Sequence, residues 1–399
     1  MKKNWEIKKL GDLVTQINGL WKGKKEPFIN VAVIRNTNFS KDCKLKLDDV
    51  EYLDVELKQY SSRKLQGGDI IIEKSGGSDK QPVGRPILFN IEDGEYSFSN
   101  FTSTLRIKDL LQVSAEYLQQ YLYFRWLNGD TRNLQSHTTG IHNLDFKAYL
   151  NFDIILPPLE EQKRIVKILD EKFAQLETIK TNAQTNLENA KDLFQSQLTK
   201  AFSNTTWEKK RLGDAFYVKS GGTPSRSKKE YWNGDIPWYS SGELGNRYTT
   251  NSERNINSLA IDNSNAKLFP KGSLLIGMYD TAAMKMSILD RDATFNQAIA
   301  GVKPCEEYNL QFIRLYLDSI KTEMFELRRG TRQKNLSLEK IKEIKIPLPP
   351  LPEQKRIVKE LDTLSEKVRQ LQEIYTKQIA NCDELKQSYL QKAFEGELD

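Results

Sequence analysis

The chain has 399 residues, enough for two or three domains, with 29% charged and 38% hydrophobic residues and a formal net charge of +6. No apolar run is long enough for a membrane span, and the start MKKNWEIKKLGDL lacks the apolar core of a secretory signal. The three cysteines, Cys43, Cys305 and Cys382, are scattered without a CxxC spacing, the usage of reduced thiols in a cytoplasmic protein; with only His137 and His142 besides, no metal site is expected.

A first variable unit, residues 1–155, opens with WEIKKLGD at 5–12. Its short apolar runs bounded by turn residues, PFINVAVI at 27–34 and DIIIE at 69–73, predict strands, and AEYLQQYLYFRWL at 115–127 predicts an amphipathic helix. Between them lie loops rich in small, polar and basic residues, EKSGGSDKQPVGR at 73–85 and SHTTGIHN at 136–143. Residues 156–204 follow, opened by Pro157-Pro158 and free of Gly and Pro from Leu159 to Phe202. Proline is tolerated at a helix start, where the first amides have no helical partner, so this segment predicts one uninterrupted helix.

The second variable unit, residues 205–347, opens with WEKKRLGD at 207–214. It has strand-like runs KGSLLIGM at 271–278 and MSILD at 286–290, and a helical LQFIRLYLDSI at 310–320. Its polar, basic loops are KSGGTPSRSKKEYWNGDIPW at 219–238 and RRGTRQKN at 328–335; Trp232 and Trp238 read as packing anchors. Residues 348–399 repeat the helical design, with Pro349-Pro350 at the start and no Gly or Pro from Glu353 to Glu395. Each long helix should run about 45 residues, roughly 65 Å at 1.5 Å per residue. The apolar spacing is that of a coiled coil: Leu169, Phe173, Leu176, Ile179, Ala183, Leu187, Ala190 and Phe194 in the first, and Ile357, Leu361, Leu364, Val368, Leu371, Tyr375, Gln378, Cys382, Leu385 and Tyr389 in the second. Gln378 is the one polar entry in that seam.

The two halves are written alike. LPPLEEQKRIV at 156–166 returns as LPPLPEQKRIV at 348–358, 192 residues on, with Pro352 in place of Glu160 as the single difference. KAF at 200–202 returns at 392–394, and the WExxxLGD starts lie 202 residues apart. In the middle of the chain KAFSNTTWEKKRLGD joins a helix to a variable unit; the two ends of the chain make the same join when the sequence is read as a circle. The ends should therefore be neighbours, and the halves should be related by a pseudo-two-fold axis with the long helices antiparallel. The expected class is α+β: two globular units separated by two long helices packed as an antiparallel coiled coil.

The two helical segments hold 15 of the 60 bases and 17 of the 54 acids, so the basic surplus lies in the variable units. Such a surplus suits a polyanion. Ser, Thr, Asn, Arg and Lys reach base edges and phosphates. The candidate DNA contacts are thus Lys74, Ser75, Lys80, Arg85, Thr138, Thr139 and Asn143 in the first unit, and Thr223, Ser225, Arg226, Lys228, Arg332, Lys334 and Asn335 in the second. The first helical turns keep Glu161, Gln162, Lys163 and Arg164 identical to Glu353, Gln354, Lys355 and Arg356 although the helix bodies diverge, which points to two equivalent docking sites for a partner protein. There is no GxxxxGK[S/T] loop, no GxGxxG, and no Asn/Asp-Pro-Pro-Tyr/Phe motif of amino-methylating DNA enzymes, so no catalytic residue is proposed.

The two LPPLxEQKRIV segments, the WExxxLGD starts, SGGTPSRSKKEYWNGDIPW and FNQAIA at 295–300 resemble the specificity subunits of type I restriction–modification systems, over nearly the whole chain. The resemblance implies a non-catalytic DNA reader in which each variable unit is a target-recognition domain for one half of a split site in double-stranded DNA, with the helices as a ruler between them. It also implies docking of two methyltransferase subunits that use S-adenosylmethionine to methylate adenine, with restriction subunits that use ATP and Mg joining them; no cofactor belongs to this chain and no membrane is involved. The competing reading is a two-unit scaffold that holds proteins and touches no DNA.

Overall fold

The computed structural model describes residues 4–21, 23–79, 81–138, 141–329 and 336–398. The chain divides into two compact units, Met1–Ala183 with Lys377–Asp399, and Gln184–Thr376.

The first unit is built on an antiparallel sheet of β1 (Val14–Asn18), β2 (Asp69–Glu73), β3 (Pro86–Phe89) and β4 (Thr102–Ile107), in spatial order β1-β4-β2-β3. DIIIE is buried along its whole length because both faces of β2 are covered, which is why it reads as a continuous apolar run. Its two terminal acids are buried only with partners: Arg106 clasps Asp69 at 2.7 and 2.8 Å, and Arg85 clasps Glu73 at 2.6 and 3.1 Å. A second sheet sets Phe28–Ile34 between Glu51–Glu56, antiparallel, and Tyr96–Phe98, parallel. Helix α1 (Ala115–Leu127), capped by Ser114, covers the core, and Glu6–Lys9 pairs with Asp153–Leu156 to close the unit.

The second unit repeats this plan. Its antiparallel sheet of β5 (Val218–Ser220), β6 (Leu274–Gly277), β7 (Met286–Ile288) and β8 (Ile299–Val302) has the matching order β5-β8-β6-β7. Ile236–Tyr239 lies between Arg254–Ile256, antiparallel, and Thr294–Phe295, parallel. Lys209–Arg211 pairs with Lys345–Pro347, and Asn309 caps the helix Leu310–Ser319. Trp238 is buried with its indole N–H on the Gly222 carbonyl at 2.9 Å and Trp232 edge-on beside it, so both tryptophans are packing anchors.

The two long helices, α2 (Leu159–Ala201, 43 residues) and α3 (Leu351–Glu395, 45 residues), are uninterrupted, as the absence of Gly and Pro requires. They pack against each other in opposite senses. In the first unit Lys180 pairs with Asp383 at 2.6 Å and Arg164, near the start of α2, donates to the Leu398 carbonyl just beyond α3. In the second unit Leu198, near the end of α2, shares a core with Ile357 and Leu361 at the start of α3. The seam departs from the heptad reading past its middle. Ile179, Leu371, Gln378 and Leu385 are exposed, and their neighbours Lys180, Gln372, Ile379 and Lys386 turn inward. A helix at 3.6 residues per turn drifts about 20° per heptad against a strict 3.5 repeat, so the buried stripe slips by one residue. Gln378, the one polar entry in the expected seam, therefore lies outside the buried stripe.

Candidate nucleic-acid interface

The fold brings the two polar loops of the first unit into one small sheet. Ser75–Gly77 pairs with Ile141–Leu144, which pairs with Gln135–Thr138. The Ser75 hydroxyl donates to the Asn143 side-chain oxygen at 2.6 Å, and the Lys74 carbonyl accepts the Leu144 amide at 2.8 Å. Gly76 sits at φ +108°, a conformation open to glycine, and its absent Cβ leaves room for Asn36, whose side-chain amide donates to the Ser75 carbonyl at 2.5 Å. Lys74 is half-buried, and burial lowers the pKa of its ammonium. Thr138 lies on the hairpin strand; Lys80 and Thr139 lie outside the described residues.

Arg85 is a correction. It is buried, with its guanidinium committed to Glu73 and to the carbonyls of Phe39 and Ser40, at 3.2 and 3.3 Å, so it holds the core together and cannot reach DNA. Sequence reading missed it because a basic residue in a glycine-rich loop reads as exposed, while its partner Glu73 stands twelve residues away.

In the second unit Thr223 donates to the Gln297 side chain at 2.5 Å, and Ser225 and Ser227 share a hydrogen bond at 2.8 Å. Arg226 is exposed and lines a cavity of about 450 Å³ with Trp232, Glu253 and Arg254. The Arg254 guanidinium lies 5.9 Å from the Trp232 ring centre. Lys228 is exposed, and its hydrogen bond to the Tyr231 hydroxyl raises its pKa, keeping it charged. Arg254 joins this cationic group from a strand 28 residues further along; only pairing of Trp238 with Arg254 reveals it. Arg332, Lys334 and Asn335 lie outside the described residues.

The repeated helix starts split into two roles. Lys163, Arg164, Lys355 and Arg356 are exposed. Arg164 clasps Glu161 at 2.7 and 2.9 Å; Arg356 clasps Glu353 at 2.8 and 2.7 Å and reaches Glu360 at 2.6 Å. The bond from Arg356 lowers the Glu353 pKa. Gln162 and Gln354 are the second correction: both are 0% exposed and unavailable to a partner. The Gln162 oxygen accepts the Ser114 amide at 2.9 Å, and its nitrogen donates to the carbonyls of Gln112 and Pro157, each at 2.8 Å. Gln354 accepts the Asn309 amide at 2.9 Å and donates to the Pro349 carbonyl at 2.7 Å.

Among the described residues no group of His, Cys, Asp and Glu could hold a metal, and no helix is long and apolar enough to cross a membrane. A family model described as "Type I restriction modification DNA specificity domain" matches residues 2–189 and 204–379. The chain is 32% identical over 213 residues to the Escherichia coli type I restriction enzyme EcoR124I/EcoR124II specificity subunit, an alignment covering 50% of this chain and 51% of that one. It is 24% identical to the Escherichia coli EcoKI specificity subunit, across 99% of this chain and 89% of that one. Among solved structures, the HsdS subunit from Thermoanaerobacter tengcongensis has the same fold, with a TM-score of 0.66 at 18% identity, covering 100% of this chain and 98% of that one. A chain from a study of complex assembly and conformational transition of the type I R-M system aligns with a TM-score of 0.81 at 19% identity, covering 100% and 99%.

Proposed function

The chain belongs to the type I restriction modification DNA specificity family, and on that premise we propose that it is the non-catalytic, sequence-reading subunit of a type I restriction–modification complex. Each unit reads one half of a split, asymmetric site in double-stranded DNA. The chain docks two methyltransferase subunits through the exposed Lys163 and Arg164 with half-buried Glu161, and through their repeats Lys355, Arg356 and Glu353. Those partners use S-adenosylmethionine to methylate adenine, and restriction subunits that use ATP and Mg complete the complex in the cytoplasm.

One observation carries the reading: the same sheet topology occurs twice, and each unit gathers polar loop residues into one cluster, around the Ser75–Asn143 pair in the first and around Arg226 and Arg254 in the second. Arg226, Lys228 and Arg254 supply the cations in the second unit. Arginine forks match guanine edges, and either side chain matches phosphate. Lys74 supplies one in the first unit, where a phosphate gives its partly desolvated ammonium a counter-charge. Ser75, Thr138, Thr139, Asn143, Thr223 and Ser225 are the neutral candidates, with Lys80, Arg332, Lys334 and Asn335 completing the set. A scaffold without DNA contact is disfavoured by the family.

The test is to sequence the methylated adenines in DNA modified by the chain together with its methyltransferase subunits. The expected result is a two-part site, with no methyl transfer by the chain alone. Modification that is the same with and without the chain refutes the proposal.

A further inference from the structure

The first unit contains a cavity of about 440 Å³ lined by aliphatic Val33 and Val55 and by polar Arg35, Asn36 and Ser99. Trp21 and Phe101 complete its lining yet remain 65% and 45% exposed. Two large aromatic faces are thus held in water beside one cavity. Gly19 makes the arrangement possible: a Cβ there would lie 1.9 Å from the Ser99 carbonyl oxygen. With hydrogen in its place the Leu20 amide bonds the Phe98 carbonyl at 2.8 Å, tying the Trp21 segment to the segment that carries Phe101.

The cavity adjoins the candidate DNA edge. The Phe101 carbonyl accepts the amides of Lys74 and Ser75 at 2.9 and 3.1 Å, and Asn36 bonds the Ser75 carbonyl. Lys24 and Lys25 are exposed on the same loop as Trp21. Arg35 lines the cavity with a side chain that is 35% exposed, and its guanidinium pairs with Glu51. Strand register equates Val33, one residue before the Ile34–Phe98 pair, with Trp238, one residue before the Tyr239–Phe295 pair. A valine thus stands in the first unit where an indole fills the second.

We propose that this cavity receives one nucleobase swung out of the DNA stack. The base stacks on Trp21, with Phe101 beside it, and turns its polar edge toward the Arg35 guanidinium. An aliphatic ligand makes no use of the Arg35 guanidinium, and a phosphate makes no use of the aromatic faces; a base uses both. The inference rests on the DNA-reading function proposed above and adds a position at which the first unit reads a base outside the duplex.

The experiment uses the full chain and the duplex site found by methylated-adenine sequencing, with each pair of the first half-site replaced in turn by a mispair. Mispairing removes the cost of extracting a base. The wild-type chain should bind the duplex mispaired at one position roughly tenfold more tightly than the matched duplex. Trp21→Ala and Val33→Trp should each lose that gain, the first by removing the stacking face and the second by filling the cavity as Trp238 does. Trp21 is exposed, so its variant decides the matter if Val33→Trp lowers the melting temperature. The proposal is overturned if no mispair tightens wild-type binding, if Trp21→Ala keeps the gain, or if Trp21→Ala loses only assembly with the methyltransferase subunit, which would make the cavity a protein contact. Failure of the wild-type chain to bind any duplex would instead sink the DNA-reading function itself, and this cavity's role with it.

Discussion

Gln162 accepts the backbone N–H of Ser114 at 2.9 Å, and Ser114 in turn caps α1 by accepting the Tyr117 amide at 3.3 Å. The long helix is thus bolted to the helix of its own unit through one buried amide. Gln354 and Asn309 build the same bolt at 2.9 Å in the second unit, where Asn309 caps Leu310–Ser319 through the Gln311 and Phe312 amides. A glutamine fits because it offers an acceptor and two donors to a place where carbonyls and an amide already converge.

Gln162→Leu should therefore unfold the first unit at lower temperature. It leaves the Ser114 amide and the Gln112 and Pro157 carbonyls without their partner, at about 1–3 kcal/mol for each buried group left unsatisfied. Gln354→Leu should act alike on the second unit. Calorimetry checks both; an unchanged melt would mean water replaces the amide.

Arg85→Ala should behave as a core mutation. It strands the Glu73 carboxylate in β2 without a counter-charge, a loss of about 3–5 kcal/mol for a broken buried pair. The fraction that remains folded should bind DNA with the wild-type salt dependence. A variant with normal stability and a reduced salt slope would return Arg85 to the DNA.

Arg226→Ala and Arg254→Ala should weaken binding of the second half-site. A lost guanine contact would cost about 1–3 kcal/mol and relax base choice at one position. A lost phosphate contact would weaken all sequences alike and reduce the salt slope by about one. Arg332→Ala extends the series to the 328–335 loop. Titration of duplexes at several salt concentrations separates the cases; no change in either quantity would turn this face away from DNA.

Reversing charge at Lys163-Arg164 and Lys355-Arg356 together should impair assembly with methyltransferase subunits. The pairs with Glu160, Glu161, Glu353 and Glu360 lie at the surface, with Glu161 and Glu353 half-buried, and surface pairs contribute about 0–1 kcal/mol each, so the melt should move little. Light scattering of the mixture measures stoichiometry. A folded variant that assembles normally would remove the docking role.

A circular permutant that joins Asp399 to Met1 and opens the chain at Asn204 should fold and methylate the same split site. Both ends belong to the first unit: Glu6–Lys9 pairs with Asp153–Leu156, Trp5 packs on the core that buries Leu398, and Arg164 holds the Leu398 carbonyl at 3.0 Å. A short Gly/Ser linker closes such a gap at little entropic cost. Asn204 is exposed just past the end of α2, where cuts are tolerated. A folded permutant that assembles but modifies no site would show that the ends are not equivalent to the middle junction.

The sequence by itself determined the parts of this protein that local rules govern. Proline pairs followed by more than forty residues without Gly or Pro allow only a helix start and a long helix. Duplicated segments imply duplicated structure, and the short apolar run DIIIE bounded by turn residues implies a strand. What required the tertiary structure was the company each polar side chain keeps. Arg85 and Arg226 both stand in basic, glycine-containing loops. One is drawn inward by Glu73 and the other is exposed beside Trp232, because a buried carboxylate without a partner costs more than moving an arginine. Gln162 and Lys163 are adjacent in a repeated motif, yet a helix turns about 100° per residue, so one faces the carbonyls at the base of α1 and the other faces water. The seam slipped past Gln378 for a related reason: the 3.5-residue pattern is a property of the sequence, while the burial of each position follows the helix's own 3.6-residue turn and the surface packed against it.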